Sequence, residues 1–230
     1  MPDGHPIGTL YGVIFAPFVR KVRAVLAAKE IRYHQVSVMP GAMDPDFLAK
    51  SPLSKVPVWE EPGFVLPDSS AICAYLERLV PTPSLYPAEP RAFATALFWE
   101  EYADTRMVET GDPIFYERVV RPRVLRQAGD EEIVRRNLEE LVPSVFDQLE
   151  SLYFGTGLHR AGVARAEGSG ETALDISAIA IWSPIVNIEH VGVSVDAGRW
   201  PKLAGFMEMM NAHPVLRPIV MEERAALGVR

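Results

Sequence analysis

Val56-Pro57, read together with Asp68-Ser69 eleven residues further on, places two kinds of binding chemistry close together in this chain. A proline after a β-branched residue, in what reads as a strand, removes a donor from the ladder of hydrogen bonds. The preceding backbone is then available to pair with something other than a neighbouring strand. Asp68-Ser69 opens the helical run Ser69-Ser-Ala-Ile-Cys-Ala-Tyr-Leu-Glu77. The unpaired N–H groups and the positive dipole end of such a helix favour a bound carboxylate. A backbone able to pair with a peptide, beside a site able to hold a carboxylate, points to a small anionic peptide as ligand.

These residues need a frame. Thr9 to Phe15 reads as a short buried strand, and Pro17 suits the first position of a helix in which Phe18, Val22, Val25 and Leu26 recur at helical spacing through Lys29. Arg32 to Val38 alternates and is rich in β-branched residues, so a second strand is expected there. Met39 to Ser54 is a proline-punctuated connection with one helical turn around Pro45 to Lys50. Val56 to Trp59 and Gly63 to Leu66 read as two short strands joined at Glu60-Glu61-Pro62, followed by a helix from Ser69 to about Leu79. The order is β-α-β-(α)-β-β-α, a small mixed sheet flanked by helices.

Pro81, Pro83, Pro87 and Pro90 mark a stiff linker over 81–90, which divides the chain into expected domains at 7–80 and 91–230. Beyond it every periodic stretch is helical: Arg91 to about Val108, Pro113 to about Leu125, Asp130 to Tyr153, Thr172 to about His190 and Pro201 to Asn211. A last short helix is expected to start at Pro214, and Leu158 to Gly170, without an apolar face, reads as a surface loop.

The bulk properties narrow the class. With 48% hydrophobic and 23% charged residues the chain is neither disordered nor a coiled coil. A net charge of −7 argues against binding to nucleic acid or to an anionic membrane surface. No apolar run approaches the ~18–20 residues needed to span a bilayer, and Met1 to Pro6 lacks the basic and apolar regions of a secretory signal. The single cysteine, Cys73, sits mid-helix as a small buried residue, and the five histidines show no metal-ligand spacing, so no metal is expected. A cytoplasmic location is the expectation.

Pro17-Phe-Val-Arg-Lys-Val-Arg23, Ser54-Lys-Val-Pro57, Leu66-Pro-Asp-Ser-Ser-Ala-Ile72, Tyr75-Leu-Glu77 and Thr172-Ala-Leu-Asp175 occur in an order and spacing that resembles the cytosolic glutathione S-transferases. The likeness covers nearly the whole chain. It implies a thioredoxin-like α/β N-terminal domain followed by an all-α C-terminal domain. It also implies glutathione as co-substrate, a small apolar electrophile as second substrate, and a homodimer.

The resemblance assigns roles residue by residue. Val56, before a proline expected to be cis, is implied to pair through its backbone with the cysteinyl unit of glutathione. Asp68 and Ser69 match the acidic-Ser pair that holds the γ-glutamyl amine and carboxylate; the family usually has glutamate where this chain has Asp68. Lys55 matches a lysine that reaches the glycine carboxylate in some classes. Asp104 stands where the family often has an acid facing glutathione in the partner subunit. Thr172-Ala-Leu-Asp175 is a capping pattern that starts the central buried helix, with Thr172 as the cap. Trp99, Tyr102, Met107, Phe115 and Tyr116 lie in the helices where the family builds its electrophile pocket, and one or two are expected to face it.

One position departs from the family in a way that bears on chemistry. Where related proteins place Ser or Cys before the Pro-Phe that opens the first helix, this chain has Ala16. A hydroxyl there would stabilise the glutathione thiolate, the nucleophile, and a cysteine would form a mixed disulfide. Three routes stay open. The helix N-terminus alone, through the Phe18 N–H, could stabilise the thiolate. Another hydroxyl could replace it, Tyr11 being the nearest in sequence and the candidate catalytic residue. Or the protein binds glutathione without turning it over. Arg20 and Lys21, in the opening turns, read as a solvated basic face. The expected function is glutathione conjugation to a hydrophobic electrophile. The alternative is a glutathione-binding or scaffolding protein, and a thiol reductase is disfavoured by Ala16.

Overall fold

Three alternating residues, Thr9, Leu10 and Tyr11, form the first strand, β1 (Thr9–Tyr11), and Gly12 ends it with φ at +144°, a backbone conformation that residues with a Cβ rarely adopt. The computed structural model describes residues 5–39, 41, 43–155 and 174–228. They divide into two compact units, Met1–Leu85 and Tyr86–Arg230, the division falling within the 81–90 stretch.

In the first unit β1 pairs in parallel with β2 (His34–Val36) and antiparallel with β3 (Val58–Glu61), which pairs antiparallel with β4 (Phe64–Pro67), giving the order β2-β1-β3-β4. The first two strands are shorter than the expected 9–15 and 32–38, and the last two, expected at 56–59 and 63–66, keep their length but are displaced by two residues and by one. The reason is local: Gly12 turns the chain out of β1, and Pro57 has no N–H to give a neighbouring strand. Helix α1 (Pro17–Ala28) carries proline at its start, α2 (Pro45–Lys50) is capped by Asp44, whose side chain accepts from Phe47 N–H, and α3 (Ser69–Leu79) is capped by Asp68. Leu10 and its register partner Trp59 are fully buried on the sheet face covered by α3, whose Tyr75 hydroxyl bonds Glu61. Tyr11 points to the opposite face, where its ring meets Phe47 of α2.

Arg20 and Lys21, expected on a solvated face of α1, are buried instead, at 0 and 1% exposure, and Arg23 is buried with them at 5%. Their polar heads find acceptors inside the unit, such as Phe15 O for Arg20 and Ser70 Oγ for Lys21. Lys29 is likewise buried: its ammonium donates to Val80 O at 2.7 Å and Pro83 O at 2.9 Å and pairs with Glu77 at 2.7 Å. Three donors meet three acceptors, which is how a lysine becomes tolerable in an interior.

Among the described residues, the elements of the second unit are all helices. The expected break at Pro113 does not occur. From Pro90 to Leu125 the chain runs continuously through α4 (Pro90–Tyr102), a π-helical turn (Ala103–Met107), α5 (Val108–Phe115) and a π-helical stretch (Tyr116–Leu125). Proline removes one i→i−4 bond, and π turns supply an alternative bonding pattern that carries the helix past such defects. Arg126, left-handed at φ +57°, ends the run. Asp130 then caps α6 (Glu131–Arg136), which continues through α7 (Val142–Gln148) to Tyr153. The central helix α8 (Ile176–His190) is buried on nearly all sides, packed by α4 and α5. It starts four residues later than Thr172. Asp175 is its N-cap, accepting from Ala178 N–H at 2.8 Å and from Ser177 Oγ at 2.6 Å; Thr172 lies outside the described residues, as does the 158–170 stretch. α9 (Pro201–Ala212) has its first N–H groups satisfied by Glu150, and α10 (Arg217–Leu227), which begins three residues past Pro214, closes the chain.

Candidate functional site

The Val56-Pro57 bond is cis, as the sequence led one to expect. Its consequence for the backbone is direct. β3 begins only at Val58, and among the described residues no backbone group takes the Val56 N–H or C=O. The loop that presents Val56 is held from one side by Ser51, whose hydroxyl accepts the Lys55 N–H at 3.0 Å and donates to the Lys55 carbonyl at 2.7 Å. Lys55 itself is exposed, its ammonium without a partner among the described residues.

Gly12 brings the other walls close. A Cβ there would stand 2.4 Å from Val19 Cγ2 and 3.1 Å from Val56 Cβ, so the end of β1, the first turn of α1 and Val56 are in van der Waals contact. Gln35 Nε2 holds the Gly12 carbonyl at 2.7 Å, and Gly12 N–H donates to Val36 O at 2.9 Å. At the start of α1, Ala16 occupies the cap with φ −72° and ψ 131° and offers no side-chain acceptor. The first-turn N–H of Phe18, half-buried, is left for an external one.

α3 completes the set. Asp68, at φ +81°, accepts the N–H groups of both Ser70 and Ala71 on Oδ1, each at 3.0 Å. Its Oδ2 meets no partner among the described residues. Because those two N–H groups are taken, the donors left for an anion at this helix end are the N–H and hydroxyl of Ser69, which is 3% exposed. The buried Lys21 ammonium reaches Ser70 Oγ at 3.0 Å and so ties the opening turns of α1 and α3 together. Nothing in the sequence signalled that tie, since its two ends lie 49 residues apart.

Tyr11 is placed differently. Its hydroxyl donates to Glu60 Oε2 at 2.5 Å and accepts from Lys50 Nζ at 3.2 Å, and Lys50 pairs with the same Glu60 oxygen at 2.5 Å. Through these bonds the Lys50 ammonium is held above the ordinary lysine range and the Glu60 carboxyl below the ordinary carboxylate range. Register puts Tyr11 and Glu60 on the α2 face of the sheet, away from Leu10 and Trp59. Asp104 belongs to the second unit, half-buried in the π turn Ala103–Met107. In the same unit Trp99, Met107 and Phe115 are buried, Tyr102 is half-buried and donates to Gln148, and Tyr116 is 45% exposed. Among the described residues no cluster of His, Cys, Asp or Glu could hold a metal ion.

The family model of the glutathione S-transferase N-terminal domain matches residues 10–84. Pyrimidodiazepine synthase of Drosophila melanogaster is 41% identical over 96 residues, a stretch that spans 39% of this chain and only 40% of that protein. Glutathione S-transferase omega-1 of Sus scrofa is 24% identical over 228 residues, covering 97% of this chain and 84% of the relative. Among solved structures, a glutathione S-transferase from Rhodospirillum rubrum F11 superposes with a TM-score of 0.77 at 24% identity, over 92% of this chain and 91% of that one. The fold is thus shared along both units, the thioredoxin-like sheet and the helical bundle. The matched segment contains the cis-proline loop, the Gly12 contact and the Asp68-Ser69 cap. Residues 10–84 thus match the glutathione S-transferase N-terminal domain, and the chain as a whole is similar in fold to solved glutathione S-transferases.

Proposed function

We propose that this protein binds glutathione along Val56 and transfers its thiol to a small apolar electrophile. The observation that carries the reading is the unpaired Val56 backbone, presented by a cis proline beside the Ser69 donors at the start of α3. The cysteinyl unit would exchange backbone hydrogen bonds with Val56, and the γ-glutamyl carboxylate would take the Ser69 N–H and hydroxyl. Asp68 is exposed, and its Oδ2 would meet the γ-glutamyl ammonium, while the exposed Lys55 would reach the glycine carboxylate. The sulfur would sit at the start of α1, its thiolate favoured by the Phe18 N–H and the helix dipole, worth ~0.3–1 kcal/mol at an exposed site and up to ~2 kcal/mol when partly buried. Tyr11 is the less favoured activator, because its hydroxyl proton is already committed to Glu60.

The remaining expectations stand as parts of the same proposal: cytoplasmic location, a detoxifying role and a homodimer. For the dimer the support is a stripe on α4, where Phe93, Leu97 and Phe98 are 41, 39 and 50% exposed. Asp104 would then face glutathione of the partner subunit, as the family pattern implies.

Ala16 favours a second reading, a glutathione-binding protein with little turnover, since it offers neither hydroxyl nor thiol. Two measurements decide. Retention on immobilised glutathione should fall ~10- to 100-fold in affinity for Ser69→Ala, the loss expected for a hydrogen bond to a charged group; unchanged retention refutes the site. Conjugation rates for wild type and Ala16→Ser across several electrophiles then separate enzyme from binder. An active wild type sped up ~10-fold or more by the serine supports the transferase. A silent wild type with an active serine variant establishes the binder.

A further inference from the structure

We propose that Ser51 is a positioning residue of this site, whose hydroxyl sets the direction of the Val56 N–H toward the cysteinyl carbonyl of glutathione and steadies Lys55 for the glycine carboxylate. The proposal rests on the glutathione reading above. Ser51 ends α2 with its N–H on Phe47 O at 3.0 Å, and it is 2% exposed. Pro52, Leu53, Ser54 and Lys55 are then all exposed, and the chain is buried again only at Val56. Packing does little to fix those four residues, so hydrogen bonds must. Among the described residues their backbone makes three, all to Ser51. Ser54 N–H donates to Ser51 O at 2.8 Å, Lys55 N–H donates to Ser51 Oγ at 3.0 Å, and the Ser51 hydroxyl donates to Lys55 O at 2.7 Å.

The next peptide plane carries this constraint into the site. The Lys55 carbonyl and the Val56 N–H belong to one planar trans unit, in which they point to opposite sides. With the carbonyl turned to Ser51, the Val56 N–H is turned away from it, and no backbone acceptor meets it among the described residues. The turn is also strained. Ser54 is left-handed at φ +53°, a conformation unfavourable to a residue with a Cβ. Such a backbone persists only where its surroundings over-determine it, and these residues collect at ligand clamps. Ser51 supplies that restraint from a fixed base, since Phe47 of the same helix is buried with its ring against Tyr11 of β1.

The test compares two ligands by isothermal titration. One is glutathione; the other is γ-glutamylethylamide, which keeps the γ-glutamyl ammonium and carboxylate but lacks the cysteinyl carbonyl and the glycine. For Ser51→Ala the expected result is a loss on the order of tenfold toward glutathione and less than about twofold toward the analogue. Ser51→Thr keeps the hydroxyl and should stay within about threefold of wild type for both. Ser51→Ala combined with Ser54→Gly removes the clamp together with the strain it resists, since glycine adopts a positive φ without penalty. The double variant should bind glutathione about threefold more weakly than wild type and the analogue almost unchanged; it decides the matter if Ser51→Ala alone does not fold. Equal losses for both ligands would make Ser51 a merely structural residue and overturn the proposal, as would no loss for either. A wild type that binds the analogue as tightly as glutathione also overturns it, because Val56 and Lys55 would then add nothing. A wild type that binds neither refutes the glutathione reading itself, and the assignment falls with it.

Discussion

The Ala16 side chain has no donor to offer a sulfur, and Tyr11, the nearest hydroxyl along the chain, is held by Glu60 and Lys50 on the α2 face of the sheet. Removing that hydroxyl should therefore affect stability more than chemistry. Tyr11→Phe is expected to keep kcat/KM for conjugation within about twofold and to lower unfolding stability by about 1 kcal/mol for the lost hydrogen bond. A fall of tenfold or more in rate, with the fold intact by circular dichroism, would return Tyr11 to the chemistry. At this scale the sequence was a good guide to features local in the chain: Val56 precedes a cis proline, and the Asp68 side chain caps α3. Lys21 and Lys29 carry no such mark. A lysine in an amphipathic helix reads as solvated, and the acceptors that make burial tolerable lie 49 to 54 residues away.

At the scale of elements, the buried start of α8 gives a pH-dependent expectation. Asp175 is a good cap, yet burial pushes its carboxyl above the usual carboxylate range, against the bonds from Ser177 and Ala178 that favour the charged form. A carboxyl whose folded value is raised contributes stability that is full below its unfolded value, near 3.9, and is lost as pH rises through the folded value. Asparagine caps about as well without the charge. Urea unfolding of wild type and Asp175→Asn from pH 3 upward should show the variant gaining relative stability across that window, then holding a constant difference to neutrality. A difference that shrinks with rising pH would refute this. The helices themselves were legible from their periodicity, their ends much less so. Proline at 113 reads as a start because it cannot donate, but π turns on both sides of α5 let the helix run through it. The capping pattern at 172–175 pointed to the right helix with its first residue as cap, whereas the carboxylate of Asp175 takes that place.

At the scale of the whole molecule, the proposed homodimer is testable on α4. Phe93, Leu97 and Phe98 lie along one side of α4, and burying such side chains is worth ~1.5–3 kcal/mol each. Leu97→Glu should shift the sedimentation mass from twice the chain's 25.5 kDa to the monomer, with folding unchanged; a dimer that persists would place the contact elsewhere. The overall architecture was readable because alternation and helical spacing change character at the proline-rich stretch, yet no periodicity shows how far the first unit reaches along it. Lys29 does. It grips the carbonyls of Val80 and Pro83 from inside the first unit, while its ion-pair partner Glu77 takes the Leu85 N–H and the Ser84 hydroxyl. A fragment cut at residue 80, just past the end of α3, would take the Pro83 acceptor from the buried Lys29 ammonium and the Ser84 and Leu85 donors from its partner Glu77. Any dissection of the protein into halves should therefore be made beyond Leu85.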